Sequence, residues 1–585
     1  MSGIAGIFDL DGKREPDRAA LGRMRNALSH RGAARGDLHI EPGLAFATRS
    51  GRRDAADAPL ARSAGGRSMV AVDGRLANSP ALEGQLALQG RLPERSSDAT
   101  ILSEIVDLRG ADALPELSGP FAFAAWNPRE GTLLLARDRF GERPLYWHVT
   151  RDGLLLFASE PRALLASGLV HTLPSEDAVA DYLFYGFVPE PHTIYRGIAC
   201  LPAGHTLLLR RRRPVPAPRR WWTPPAPPGP GDAAEEARAE IAPLLQAAVE
   251  AHRRGERACG AMPAETLPDR AVAAALGQHP DPDTPPARTA EHDPEALAEK
   301  AMGLFGEPFA DLSLLRRLDD FEALGRRAGT VLWGAGGAEV LGGHARYALF
   351  EEDARLRAPL PAAVRARGFG ALAAACPGPA IAPGLAEARS RLTRLAREEA
   401  EAYAAALAVV PPGQWRSLLA APLRSSDPAR HVRARLEPVR AQPAFARVRA
   451  VDLMLLVPGR MGFGADRLSA SAGLDLASPF LDPAFSDWAL RLPRVPGEKP
   501  ASGYSALEHA FAGELPAAPP AAPVILPRKA LAGAVRGRGA WRDSGYLDID
   551  AVEKLAARHE RGRIDAAPAL WSVLMLDAFL AGFSS

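Results

Sequence analysis

The chain has 585 residues, of which 47% are hydrophobic and 24% charged; 71 basic and 69 acidic residues leave a net charge of +2. That length calls for at least two folded domains, and the near-cancelled charge gives no electrostatic basis for binding nucleic acid or a membrane surface. Three dispersed cysteines, Cys200, Cys259 and Cys376, support neither a disulfide framework nor a thiolate metal cluster, so a reducing, cytoplasmic compartment is expected.

The N-terminus lacks the charged-then-apolar layout of a signal peptide, and no apolar run is long enough to span a membrane. A helical pattern at 18–28 and another at 98–108 lie among short apolar runs at 68–72, 121–126, 132–136 and 154–157, which read as strands. Strands mixed with helices in this way predict layered sheets flanked by helices. The basic run at 210–213 and the proline-rich stretches after it predict an extended linker over 216–232, between a domain at 1–215 and another at 233–585. Residues 233–252 carry apolar side chains at 237, 241, 244, 245, 248 and 249, a helical stripe. A short apolar run at 329–333 enters the turn Gly334-Ala-Gly-Gly337, the strand, glycine turn and helix order of a nucleotide-binding α/β domain. Residues 383–410 read as helical and structural.

Several segments in order carry a resemblance. Ser2-Gly-Ile-Ala-Gly-Ile-Phe8, Leu28-Ser-His-Arg-Gly32, Ser118-Gly-Pro-Phe-Ala-Phe-Ala124, Phe157-Ala-Ser-Glu160 and Leu201-Pro-Ala-Gly-His205 resemble the class II glutamine amidotransferases. Gly306-Glu-Pro-Phe-Ala-Asp311, the stretch from Leu332 to Tyr347, Ser478-Pro-Phe-Leu-Asp482 and Pro527-Arg-Lys529 are similar to the glutamine-dependent asparagine synthetases, over about residues 2–580. The resemblance implies an α/β protein, α+β overall: an N-terminal αββα domain of the N-terminal-nucleophile type, then a C-terminal α/β synthetase-like domain of the PP-loop type. It also implies ATP and magnesium as the family's cofactors.

At the family's active positions this chain differs. Ser2 stands where the resemblance implies a cysteine nucleophile, and Asp73-Gly74 where it implies an Asn-Gly oxyanion pair. A carboxylate there would repel the developing oxyanion instead of donating to it, and loss of one such donor costs on the order of a hundredfold to a thousandfold in rate. Arg49 and Asp98 match the positions that would hold the substrate's carboxylate and ammonium; the plainer alternatives are a surface arginine and a helix-capping aspartate.

The family's pyrophosphate loop aligns with Gly260-Ala-Met-Pro-Ala-Glu-Thr-Leu-Pro-Asp-Arg270, which puts Ala264, Glu265 and Thr266 in place of small phosphate-binding residues and Pro268 in place of a magnesium aspartate. In the second metal motif Ala335 and Ala338 replace carboxylates and Glu339 remains alone. The adenine-contacting strand has no counterpart in 278–286. Relatives of the β-lactam synthetase type keep ATP chemistry without glutaminase, yet their tyrosine and metal aspartate would fall on Ala335 and Ala338. Lys529 matches a catalytic lysine, or is an ordinary surface lysine. No metal site and no cofactor are expected. The thirteen histidines show no metal-ligand spacing, and no Gly-x-Ser-x-Gly elbow occurs.

These readings favour a non-catalytic homologue serving as partner, scaffold or regulator, with a small amino-acid-like ligand or a protein as partner and homo-oligomers allowed. The alternatives are an ATP-dependent amide-forming ligase with rearranged sites and a serine N-terminal amidohydrolase.

Overall fold

Alternation along strand β1 (Ser2–Asp9) decides how the first region is layered. A computed structural model describes residues 1–32, 36–51, 58–91, 96–227, 234–253, 258–278, 291–376, 383–492, 502–516 and 524–583. In β1 the even residues Ile4 and Phe8 pack into a core between two sheets, and the odd residues Ala5 and Ile7 pack outward under helices. Gly6 lies between them on the inner face because a Cβ there would sit 2.2 Å from the Phe157 ring.

The first sheet joins β1 to β2 (Leu38–Glu41), β3 (Leu44–Ser50), β8 (Tyr146–Val149), β9 (Leu154–Ala158) and β10 (Ala199–Cys200), in the order β10-β8-β9-β1-β3-β2. The second joins β4 (Leu60–Arg62), β5 (Met69–Gly74), β6 (Phe121–Asn127), β7 (Thr132–Arg137), β11 (His205–Arg210) and β12 (Arg219–Arg220), in the order β12-β11-β7-β6-β5-β4. Helices Arg18–Ala27 and Pro161–Ala166 cover the first sheet, and Ser79–Leu88 and Asp98–Arg109 cover the second. The result is the αββα sandwich that the family resemblance implied. Arg219 and Arg220 pair with Thr206 and His205, so the second sheet continues to Arg220, inside the stretch read from sequence as linker.

The second region is mainly helical around a short parallel sheet, β13 (Cys259–Ala261), β14 (Thr330–Leu332) and β15 (Asp475–Ala477), in that order. Helix Ala234–His252 matches the apolar stripe read from sequence, and the stretch beyond 383 forms two α-helices, Ala386–Ala396 and Glu399–Leu407. The positions read as lacking an adenine-contacting strand fall, from 279 on, outside the described residues. Among the described residues no helix is long and apolar enough to cross a membrane.

The two regions meet over a wide buried surface. Helix Glu176–Tyr185 is buried from Ala178 onward, and it bonds to the second region through Tyr182 Oη, which donates to Ser572 O at 3.0 Å, and Tyr185 Oη, which donates to Pro428 O at 2.8 Å. Gly459 and Gly462 permit the closest approach: a Cβ would lie 2.1 Å from the Phe187 ring at one and 2.0 Å from Gly141 O at the other. A side chain at Gly462 would require backbone to move, and one at Gly459 would require the buried Phe187 ring to move.

Candidate functional site

Strand parity brings Ser2 and Asp73 face to face. Ser2 is an even residue of β1, on the inner face with Ile4, and Asp73 shares the inner face of β5 with Met69 and Ala71. The Ser2 hydroxyl donates to Asp73 Oδ1 at 3.0 Å and accepts from the Gly74 amide at 2.8 Å. Asp73 Oδ2 accepts from Ser159 Oγ at 2.6 Å and from Arg31 at 3.0 Å.

Arg31 is fully buried and organises the site. It grips Asp466 of the second region with both terminal nitrogens, at 2.6 and 2.7 Å, and reaches Glu160 at 3.0 Å. Arg143 bonds to Asp466 at 3.1 Å, and Arg467 lies 3.0 Å from Glu160. Three fully buried arginines thus face Asp73, Glu160 and Asp466, as buried charges must be paired, and the partly exposed Arg162 adds a fourth cation 2.8 Å from Glu160. Burial pushes the Asp73 carboxyl above its ordinary range, and Arg31 draws it only part of the way back. Burial also works to raise Asp466 and Glu160, but the arginines, joined at Glu160 by a hydrogen bond with His30 at 2.7 Å, outweigh it and hold both below the carboxylate range, Glu160 well below.

The cavity beside Ser2 is small. Met1, Ser2, Ser50, Gly74, Asp98 and Asp475 line a space of about 20 Å³, room for about one water and not for an amino acid. Asp98 reaches this cavity, with its oxygens accepting from the Leu76 amide at 3.1 Å and from Ser79 Oγ. Helix Asp98–Arg109 is capped by Ser97, whose Oγ accepts from the Thr100 amide at 3.1 Å. Arg49 faces the other way. It is paired with Gly3 in the β1–β3 ladder, where Ser50 is the partner of Ser2, and an odd residue of β3 points to the helix side. There it donates to Arg25 O at 3.1 Å and Asn26 Oδ1 at 3.0 Å.

The second cleft opens at the carboxyl ends of β13 and β14, where α/β folds place ligands. A cavity of about 350 Å³ is lined by Glu265, Thr266, Pro268, Trp333, Ala335, Ala338 and Glu339, with Arg316, Arg317, Arg346 and Arg460 on its walls. Glu265 is gripped by both terminal nitrogens of Arg316, and Arg317 donates to it at 3.1 Å and to Asp269 at 2.8 Å. Burial raises the Glu265 carboxyl and the two arginines more than reverse it, leaving it below the ordinary range.

Thr266 and Asp269 cap helix Leu267–Ala275 reciprocally. Pro268 is buried against the glycine turn, where a Cβ on Gly337 would lie 2.8 Å from the Pro268 Cβ. Glu339 accepts from His344 Nε2 at 3.0 Å. Ala264 lies in the turn before Glu265 and does not line the cavity, and Lys529 is exposed on helix Arg528–Gly537, also off its lining. Trp333 is 7% exposed and packs into the core while one side borders the cavity. It therefore fills part of the space beside the turn without closing it.

A magnesium–triphosphate group does not fit these residues. Glu339 is the lone carboxylate of the second motif and is already bonded to His344, while Glu265 sets a negative charge on the cavity wall. Among the described residues no group of three or more histidines, cysteines or carboxylates could hold a metal ion. Sequence reasoning missed Arg31, Asp466, Arg316 and Arg317, although Arg31 lay inside a segment already singled out. Its partner Asp466 is 435 residues away, so no local pattern pointed to the pair.

Residues 1–222 match the family described as a glutamine amidotransferase domain, and residues 259–581 match asparagine synthase. A Mycobacterium tuberculosis protein provisionally named asparagine synthetase [glutamine-hydrolyzing] is 27% identical over 530 residues, covering 80% of this chain and 77% of its own length. Asparagine synthetase [glutamine-hydrolyzing] 3 of Bacillus subtilis is 30% identical over 221 residues, 36% of this chain and 35% of that protein. A solved structure of a glutamine phosphoribosylpyrophosphate amidotransferase from B. subtilis aligns at a TM-score of 0.29 and 17% identity, over 44% of this chain and 60% of its own, a likeness too slight to carry an argument.

Proposed function

The chain belongs to the asparagine synthase family, and from that membership we propose that it is a non-catalytic member, without glutaminase or ATP-dependent ligase activity, that acts as a partner, scaffold or regulator. The observation that carries this reading is Glu265, a carboxylate bound by Arg316 and Arg317 on the wall of the strand-end cavity. A polyphosphate entering that cavity would meet a negative charge already neutralising the nearest cations, and the other lining carboxylates are engaged, Asp269 by Arg317, Asp311 by Ser313 and Glu339 by His344. The Ser2 site supports the same reading. Its cavity of about 20 Å³ leaves no room for glutamine, and the hydroxyl proton points at Asp73. Of the two family-implied sites, the strand-end cavity of about 350 Å³ is the one with space for a small amino-acid-like ligand.

Isothermal titration with magnesium ATP tests the proposal. No saturable heat is expected at millimolar nucleotide, and saturable binding would favour the ligase alternative. Binding at a hundred times the dissociation constant would also raise stability by about 2.7 kcal/mol, which a thermal melt detects.

One observation favours a second reading, a serine amidohydrolase. Asp73 lies 3.0 Å from the Ser2 hydroxyl, within reach for a general base, and the Gly74 amide donates to the same oxygen. Ammonia release from glutamine decides it. Background rates are expected from the unmodified protein and from Ser2→Cys; a rate abolished by Ser2→Ala would establish the hydrolase.

A further inference from the structure

The strand-end cavity holds an arrangement that neither family match assigns. Arg316 ends the helix Leu312–Arg316 and Arg317 follows it, so two guanidinium groups leave one helix end and converge on a single carboxylate, Glu265, from 51 and 52 residues away. Arg316 takes both carboxylate oxygens, the fork-on-fork geometry by which arginine binds carboxylates and phosphate-like oxoanions. The helix that begins behind Glu265 contributes no donor to this grip: the Asp269 amide is bonded to Thr266 Oγ1 at 3.2 Å, and Pro268 has no amide hydrogen. The carboxylate is therefore held by arginine side chains.

The grip is built into a wall and not exposed on a surface, with the Arg316 and Glu265 side chains 20% and 11% exposed. Arg317 has a second partner, Asp269 at 2.8 Å, which keeps it in place whether or not Glu265 is charged. Asp320, whose carboxyl burial pushes up to about 6, faces the two arginines from helix Leu318–Gly325 but does not line the cavity. Loss of the Glu265 charge would leave Arg316 without its paired acceptor, facing a cavity of about 350 Å³.

We propose that Arg316 and Arg317 form a latent site for a small oxoanion, of the phosphate or sulfate class, and that Glu265 is its resident occupant. The cleft is then self-inhibited: the chain supplies its own anion and shuts out a free one. This inference rests on the reading that the cleft no longer takes nucleotide.

The test is titration of metal-free inorganic phosphate, with sulfate as a second probe, into the full chain and its Glu265→Gln, Glu265→Ala and Glu265→Ala/Arg316→Ala variants. The unmodified chain is expected to show no saturable binding. Glu265→Gln and Glu265→Ala should bind at least tenfold more tightly than the unmodified chain, and Arg316→Ala should remove the gain. Glu265→Gln keeps the shape of the side chain, so it carries the test if the alanine variant does not fold. The proposal is overturned if folded Glu265→Gln binds phosphate no better than the unmodified chain, or if the gain survives Arg316→Ala. Magnesium ATP binding by the unmodified chain would overturn the non-catalytic reading, whereas failure of the variants to gain phosphate overturns this inference alone.

Discussion

Where the first region meets the second, Arg31, Arg143 and Arg467 face Asp73, Glu160 and Asp466 beside a space of about 20 Å³, while at the strand ends of the second region arginines and carboxylates line a cavity of about 350 Å³. In the first set each of these side chains is at most 2% exposed. The second borders an open cavity, with Arg316 20% and Arg346 24% exposed. Buried charges must neutralise one another, so the first set has become a joint holding the two regions together. Charges beside water are screened, and their pairing shapes what the cleft admits more than how stable the fold is.

Removing a charge from the joint breaks this comparison most directly. Asp466→Ala leaves Arg31 and Arg143 buried without their shared acceptor, and about 3–5 kcal/mol should be lost. A denaturant titration measures it. A loss under about 1 kcal/mol would mean that the network is incidental to stability.

Trp333→Ser acts on the border between the core and the open cleft. Trp333 is 7% exposed, so the change should cost roughly 3 kcal/mol by loss of buried contact. If stability falls little and ATP binding appears, the indole is a plug in front of a working site, and the contrast between the two clefts fails.

The third test uses pH. Glu160 is held well below its ordinary value of 4.5, so its contribution is fully present above that pH and is lost progressively as the pH falls below it toward the depressed folded value. Glu160→Gln should therefore cost roughly 2 kcal/mol near pH 7 and flatten the loss of stability on the acid side. Melting the two proteins across pH 3–7 checks the slope, and parallel curves would show that Glu160 has no such linkage.

The smallest effect belongs to a residue outside both clefts. Lys529→Ala should change stability by less than about 0.5 kcal/mol, as expected for an exposed side chain off the cavity lining. A larger change would mean that Lys529 makes contacts in solution that its exposed position does not suggest.

Composition, strand alternation and ordered motifs were enough to place the sandwich, the helix at 234–252, the strand before Gly334 and the family itself. Each is written within a few neighbouring residues, where side-chain period and turn chemistry act. It was the resemblance to the family, and no local pattern, that put Ser2, Asp73 and Gly74 at one site, and Glu265, Pro268 and Glu339 at another. Alternation in β3 also held the sign that Arg49 faces away from Ser2, but only the pairing of Ser2 with Ser50 and Gly3 with Arg49 made it readable. The partners of the charges belong to tertiary structure alone. Nothing near Arg31 predicts Asp466, and nothing near Glu265 predicts Arg316, because a salt bridge depends on where distant segments pack and leaves no periodic trace along the chain.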